Sequence, residues 1–305
     1  MPDDRDVELG ALETEKADPA TATLDRMSPL EIVQALNAAD ATVAGAVALE
    51  LPRIARAVEE IATRLRQGGR LIYIGAGSSG RMGVLDAVEC PPTFSTASGQ
   101  VVGWMAGGLD AFARAAEEIE DSATAGRGDA AWLGVGACDA LVGIAASGRT
   151  PYVLGAIDYA REQGALTVGL ACNRGIPLEE RVDIMIAPLT GPEVVAGSTR
   201  LKAGTAQKMV LNMLSTGAMV RLGKTYGNLM VDMRASNEKL RRRAARIVAG
   251  ATGLDEAEAA TLLRTADGEA RTAIVAARAG VTPAAARERL AAHGGSVHAA
   301  LREEA

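Results

Sequence analysis

A chain of 305 residues with 48% hydrophobic but only 3% aromatic residues must build its core from Ala, Val, Leu, Ile and Met. It is long enough for one substantial core and a small second domain. Its formal charge of −6 leaves no basic excess to displace counterions, which argues against a nucleic-acid partner. No run reaches the ~20 uninterrupted apolar residues of a membrane span, so no membrane partner is expected. The acidic start Met1-Pro-Asp-Asp lacks the apolar centre of a secretory signal. Cys90, Cys138 and Cys172 show no CxxC spacing and read as free thiols of a reducing compartment, so a cytoplasmic location is expected. With only His293 and His298, both near the C-terminus, neither a His-rich metal site nor a Ser-His-Asp triad is expected in the main domain. Carboxylates, lysines or hydroxyls must carry the chemistry there.

Residues 1–28 are polar and rich in Asp, Glu and Thr, and read as a lightly ordered arm. Ser28-Pro-Leu-Glu31 has the form of a capping box with Pro at the first helical position, so a helix starts there. Apolar residues at helical spacing predict a second helix over 40–67, stopped by Gly68-Gly69. Strands and helices then alternate. Strands are predicted over 71–77, 101–106, 140–146, 166–172 and 183–187. Helices are predicted over 82–88, 109–120, 152–163 and 199–222. Strands joined by helical crossovers form a doubly wound parallel sheet covered on both faces, an α/β fold. Its ligands collect beyond the carboxyl ends of the strands. Three polar Gly-rich loops fall there: 77–80, 147–150 and 191–200. From about residue 249 the texture becomes Ala/Arg/Glu-rich, with three short helical patterns broken at Gly268, Gly280 and Gly294-Gly295. The expected division is an arm over 1–28, the α/β domain with its N-terminal helices over 29–248, and a helical appendage over 249–305.

The most informative stretch is Leu71-Ile-Tyr-Ile-Gly-Ala-Gly-Ser-Ser-Gly80. A buried strand running into a Gly/Ser turn and a helix start aims several backbone N–H groups, and the positive end of the helix dipole, at one spot. Ser78 and Ser79 suggest a phosphate on a small polar ligand. The spacing also matches GxGxxG, but no acid stands near the end of the second strand, where a dinucleotide site needs one. Thr150 before Pro151 has the form of a helix N-cap, whereas Ser147 has no capping duty and is the better ligand contact. In the third loop Ser198, Thr199, Arg200 and Lys202 supply hydroxyls and charge at the entry to a long helix. The basic run Lys239, Arg241, Arg242, Arg243 and Arg246 reads as solvated helix surface.

Glu89 precedes Cys90-Pro91-Pro92, which is expected to end its helix. An acid at a helix C-terminus is misplaced for the dipole and, if partly buried, suited to general-acid work; a solvated surface Glu is an equal reading. Glu117, Glu118, Glu120 and Asp121 crowd the end of the following predicted helix, and local pattern does not choose among them.

Taken together, residues 74–81, Glu89-Cys-Pro-Pro92, residues 143–151, residues 191–208 and Asn228-Leu-Met-Val-Asp-Met233 resemble the N-acetylmuramic acid 6-phosphate etherases of the sugar-isomerase (SIS) superfamily. The similarity runs in order from about residue 28 to His293-Gly-Gly295. It implies cleavage of the lactyl ether of the sugar phosphate by elimination and hydration, without a metal or redox cofactor. It further implies Glu89 as proton donor to the departing lactate and Glu120 as the second acid/base. Ser78, Ser79 and Ser147 would hold phosphate or sugar hydroxyls, with Thr199, Arg200, Asn237 and Lys239 as weaker contacts. A non-catalytic sugar-phosphate sensor and an aldose–ketose isomerase are the competing readings within the superfamily. The sensor would not need both glutamates. The helices over 40–67 and 208–222 carry more apolar surface than one sheet needs, so a homodimer is expected.

Overall fold

The computed structural model describes residues 10, 12–112, 117–233 and 238–302. They divide into two units: one comprises the chain up to Ala87 with Gly99–Ser215, the other Val88–Ser98 with the chain from Thr216 onward. The first unit opens on short 3-10 turns at Glu13–Glu15, Pro19–Thr21 and Leu24–Arg26. These are docked rather than loosely ordered. Leu12 and Thr14 are buried, the Asn173 amide donates to Thr14 Oγ1 at 3.0 Å, and Thr21 Oγ1 donates to the Val194 carbonyl at 3.0 Å.

Helix α1 (Pro29–Asp40) begins as expected, with Ser28 Oγ accepting from Glu31 N and the Glu31 carboxylate accepting from Ser28 N at 2.7 Å. The single helix expected over 40–67 is instead two, α2 (Val43–Ala48) and α3 (Leu51–Arg66). Pro52 falls in the first turn of α3, where its missing N–H forfeits no helical hydrogen bond. The freed Glu50 carboxylate accepts from Arg174 Nη2 at 2.7 Å and from Arg53 Nη1 at 3.2 Å. Helix α3 then buries Ile54, Ala57, Ile61 and Leu65, one face at helical spacing.

The sheet comprises β1 (Leu71–Gly75), β2 (Val101–Met105), β3 (Ala140–Ile144), β4 (Leu166–Leu170) and β5 (Ile184–Ile186), each shorter than predicted by one or two residues. All pairs are parallel, in the order β2-β1-β3-β4-β5. Strands β1, β3, β4 and β5 are buried throughout, as expected for a parallel sheet covered on both faces. The chain goes from β1 to β2 on one side and returns to β3 on the other, so the strand order reverses between β1 and β3. An ion pair at their entrance fixes that pairing. Arg70 donates from Nε and Nη2 to the two carboxylate oxygens of Asp139 at 3.1 and 2.6 Å. The Arg70 N–H adds a bond to Asp139 Oδ1, and Ala140 N donates to the Arg70 carbonyl at 2.8 Å. Leu71 thus stands opposite Ala140.

Helix α4 runs Gly77–Phe94, through Pro91 and Pro92 rather than stopping before them. Helix α5 (Ala123–Trp132) was not anticipated; it starts on Ser122, whose Oγ accepts from Ala125 N at 3.1 Å. The helix expected over 109–120 is replaced, among the described residues, by 3-10 turns at Leu109–Phe112 and Glu117–Ile119. Helices α6 (Pro151–Glu162) and α7 (Lys202–Arg221) follow the prediction to within three residues. Tyr73 on β1 and Asn212 and Ser215 on α7 all donate to the buried carboxylate of Asp86 on α4, at 2.8, 2.6 and 3.1 Å. A buried carboxyl group satisfied by three donors ties strand to helices.

In the second unit α8 (Glu238–Thr252), α9 (Glu256–Thr265), α10 (Ala270–Ala279), α11 (Pro283–Ala292) and α12 (Val297–Ala300) pack around Val248, Ala273, Ile274 and Leu290. The breaks at Gly268, Gly280 and Gly294-Gly295 separate four helices, one more than the pattern suggested. The change in composition near residue 249 falls inside α8. Among the described residues no single helix is long and apolar enough to cross a membrane. The pair Pro29–Ala48 and Leu51–Arg66 reaches that length only together, and is bent by 62°.

Burial alone raises the Asp139 pKa, but the Arg70 guanidinium and the N–H groups of Gly136 and Arg70 outweigh it and hold the carboxyl below its usual range. Its contribution to stability is therefore complete above the ordinary carboxylate value of about 3.9 and is lost as pH falls through the lower folded value. Asp139→Asn is expected to lower the unfolding free energy by roughly 3 kcal/mol at pH 7, since it leaves Arg70 without its charge partner. Urea titrations of both proteins should show the gap closing below about pH 4.

Candidate active site

The strand order reverses between β1 and β3, and the turns leaving these two strands carry the serines singled out from sequence. Beyond β1 the chain passes Ala76 and enters α4 at once, so Ser78 and Ser79 occupy its first turn, both half-buried. Their N–H groups belong to the set that an α-helix leaves without an internal acceptor, at the positive end of its dipole. Gly80 allows this tight return: a Cβ there would lie 2.7 Å from the Gly75 carbonyl oxygen and from Met105 Cβ. Strand β2 ends on Met105 and leads into Ala106-Gly107-Gly108, with no acid at its end to hold a ribose.

The Ser79 hydroxyl donates to Gln207 Oε1 at 3.0 Å. Gln207, on the second turn of α7, is 1% exposed, and its Nε2 has no partner. It stood within the motif read from sequence, yet its role was missed, because a Gln inside a helix carries no local signal.

Beyond β3, Ser147 has a local duty after all: its Oγ accepts from Arg149 N at 3.3 Å. Thr150 sits at the N-cap position of α6 but makes no side-chain cap. Its Oγ1 donates instead to Glu120 Oε1 at 3.2 Å, while the Glu120 carbonyl accepts from Tyr152 N at 3.0 Å. The main chain of Glu120 therefore serves the first turn of α6, and its half-buried side chain is held by Thr150. This contact depends on close packing of α5 against α6, where a Cβ on Gly155 would lie 2.0 Å from the Ala123 carbonyl oxygen.

In the third loop the expectation changes most. Helix α7 starts at Lys202, and neither Ser198 nor Thr199 caps it. The fully buried carboxylate of Glu193 accepts from Lys202 N and Ala203 N, both at 3.0 Å. The positive end of α7 is thereby neutralised from within the protein. Lys202 is buried and donates from Nζ to the Thr190 carbonyl at 2.8 Å. Ser198 and Thr199 are half-buried, and Arg200 is exposed. Cys172, just beyond β4, has its pKa pushed up to about 12, by burial first and by the Glu193 charge, and is a protonated thiol rather than a nucleophile.

Glu89 lies in the stretch of α4 belonging to the second unit and is exposed. The helix continues five residues past it, to Phe94, so the helix-end and partial-burial argument for this residue lapses. Lys239 is exposed on the first turn of α8, and Asn237 lies outside the described residues. Arg241 and Arg242 pair with Glu238 on an exposed helix face, as expected of solvated surface. His293 is half-buried at the end of α11.

This parallel sheet, with its turns at the reversal of strand order, has the α/β fold of the sugar-isomerase (SIS) class. The profile of the glucokinase regulatory protein N-terminal SIS domain matches residues 53–161. The structure of a phosphoheptose isomerase from Francisella tularensis superposes with a TM-score of 0.50 at 18% identity, over 64% of this chain and 100% of that one. Within that class the sequence is far closer to one group. It is 59% identical to an N-acetylmuramic acid 6-phosphate etherase of Rubrobacter xylanophilus over 98% of both chains. It is 54% identical to those of Salmonella typhi (96% of this chain, 99% of the relative) and Streptomyces coelicolor (96% and 94%). The chain belongs to the N-acetylmuramic acid 6-phosphate etherase family.

Gly155→Ala should force α5 off α6 and lower stability by about 1–3 kcal/mol, as overpacking does. Gly128→Ala, on the same α5 with nothing within 4 Å of its Cβ position, should be neutral or stabilising. Urea midpoints of the two variants check the pair.

Proposed function

We propose that the chain cleaves the lactyl ether of N-acetylmuramic acid 6-phosphate to N-acetylglucosamine 6-phosphate and D-lactate, with Glu89 and Glu120 as its acid/base pair. The observation that carries this reading is near-full-length similarity to the etherases combined with the position of Glu120. That carboxylate is hydrogen-bonded to Thr150 on the turn that also carries Ser147, next to the turn of Ser78 and Ser79. Phosphate is anchored by the α4 N-terminus and the serine hydroxyls, which places the sugar over the reversal of strand order.

The reaction needs a base and an acid. In the open-chain sugar a base removes the C2 proton and the electron pair forms the C2–C3 double bond. The C3–O bond breaks, and Glu89 delivers a proton to the departing lactate oxygen. Water then adds at C3 and a proton returns to C2, with Glu120 as the second acid/base. Two carboxyl groups in opposite protonation states serve such a sequence. Thr199, Arg200, Ser198, Asn237 and Lys239 supply further contacts to the sugar phosphate. No metal or redox group enters the scheme.

We further propose a cytoplasmic homodimer. Helix α1 has no buried residue, although Leu30 and Val33 on it are apolar and are 65% and 55% exposed. A second copy of the chain would cover them. Light scattering should give twice the 31.3 kDa chain mass; a monomer at working concentration would refute the dimer.

Glu89→Gln and Glu120→Gln are each expected to lower D-lactate release by ~10²–10⁴-fold while sugar-phosphate binding is retained. Unchanged release in both variants would remove the assigned roles. Aldose–ketose exchange of glucosamine 6-phosphate without lactate formation would instead mark an isomerase.

A further inference from the structure

We infer that Gln207 is a positioning residue that turns the Ser79 hydroxyl toward a phosphate, by donating from its side-chain amide to Ser79 Oγ. The inference rests on the reading of the β1–α4 turn as a phosphate site.

A serine hydroxyl has a single proton and accepts through its lone pairs. As arranged here, Ser79 commits that proton to Gln207 Oε1 at 3.0 Å, so it has none to give a phosphate oxygen. The same arrangement leaves Gln207 Nε2 buried without a partner. An orphaned buried N–H donor is rarer and costlier in proteins than a carbonyl with a lone pair unfilled. One half-turn of the amide about its Cγ–Cδ bond frees the hydroxyl proton when a phosphate is present and gives Nε2 an acceptor. Nε2 then donates to Ser79 Oγ, and Ser79 donates to the phosphate. The amide N–H, the hydroxyl and the anion form a chain in which each bond polarises the next. The orphaned group becomes the amide oxygen, which tolerates it better.

Gln207 is fixed firmly enough to play this part. It is 1% exposed on α7, one turn beyond the N–H groups of Lys202 and Ala203 that Glu193 holds. It therefore reaches Ser79 from a helix whose own positive end is already satisfied. No other side chain is paired with the Ser79 hydroxyl among the described contacts.

The test is steady-state release of D-lactate from N-acetylmuramic acid 6-phosphate by the full chain and four variants: Gln207→Met, Gln207→Glu, Ser79→Ala, and Ser79→Ala with Gln207→Met. Gln207→Met and Ser79→Ala should each raise KM by roughly tenfold or more, the scale of a hydrogen bond to a charged group, and change kcat little. The double variant should be no worse than either single one, because both remove the same chain. Gln207→Glu, near-isosteric and unable to donate when ionised, should raise KM further at pH 8. Its ratio to the full chain should shrink as the pH is lowered and the introduced carboxyl regains a proton to donate; a merely structural role would not give that pH profile. An unaltered KM in Gln207→Met and Gln207→Glu with a raised KM in Ser79→Ala would overturn the relay and leave the phosphate site standing. Additive losses in the double variant would overturn it as well. An unaltered KM in Ser79→Ala would overturn the phosphate reading itself, and the relay with it. Thermal melts identify a variant that has lost its fold, and the isosteric Gln207→Glu then decides.

Discussion

The pairing of β1 with β3 is the constraint from which the site follows. These strands are neighbours in the sheet but far apart in sequence, with β2 between them, so nothing local holds them together. The bidentate contact of Arg70 with Asp139, at the end of the sheet opposite the serine turns, sets which residue faces which. With Leu71 opposite Ala140, Gly75 falls opposite Ile144, and the two turns leave the sheet at the same level. A slip of one residue would exchange the faces of every side chain on a strand buried on both sides. The clamp and the serines are thus two ends of one registered pair.

Helix starts at this edge are not equivalent. The first turn of α7 is closed by Glu193, and that of α6 takes the Glu120 carbonyl at Tyr152 N. The first turn of α4 is reached only through small residues, Gly77, Ser78, Ser79 and Gly80, so an anion can come close to its backbone. Electrostatics and steric access are both in keeping with the phosphate site proposed above for this turn.

The sheet was legible because its strands are mostly apolar runs, and because the chain alternates between two periodicities. The serine turn was legible for a related reason: the Gly and Ser pattern has few other uses after a buried strand. What local pattern did not reveal depends on partners distant in sequence. Pro91 and Pro92 looked like a stop, yet α4 carries them to Phe94. Thr150 looked like a cap, yet it bonds to Glu120, thirty residues away. Glu193 and Gln207 take their meaning from groups on other turns. Helix α5 went unseen because its Ala/Gly-rich sequence has weak amphipathic contrast, although Ser122 is an ordinary cap. The choice of Glu120 among four neighbouring acids came from family resemblance alone, since its contact with Thr150 joins residues thirty positions apart and leaves no local signal.

The three thiols differ in a way that is useful at the bench. Cys90 and Cys172 are buried, whereas Cys138 is exposed immediately before Asp139. That position lies at the entrance of β3, the length of a strand away from the turn that carries Ser147. A maleimide dye or nitroxide attached there would sit on the opposite rim of the sheet from the proposed phosphate turn. The unmodified sequence therefore already carries a single-site handle for following ligand binding by fluorescence or spin labelling, with no cysteine to add or remove.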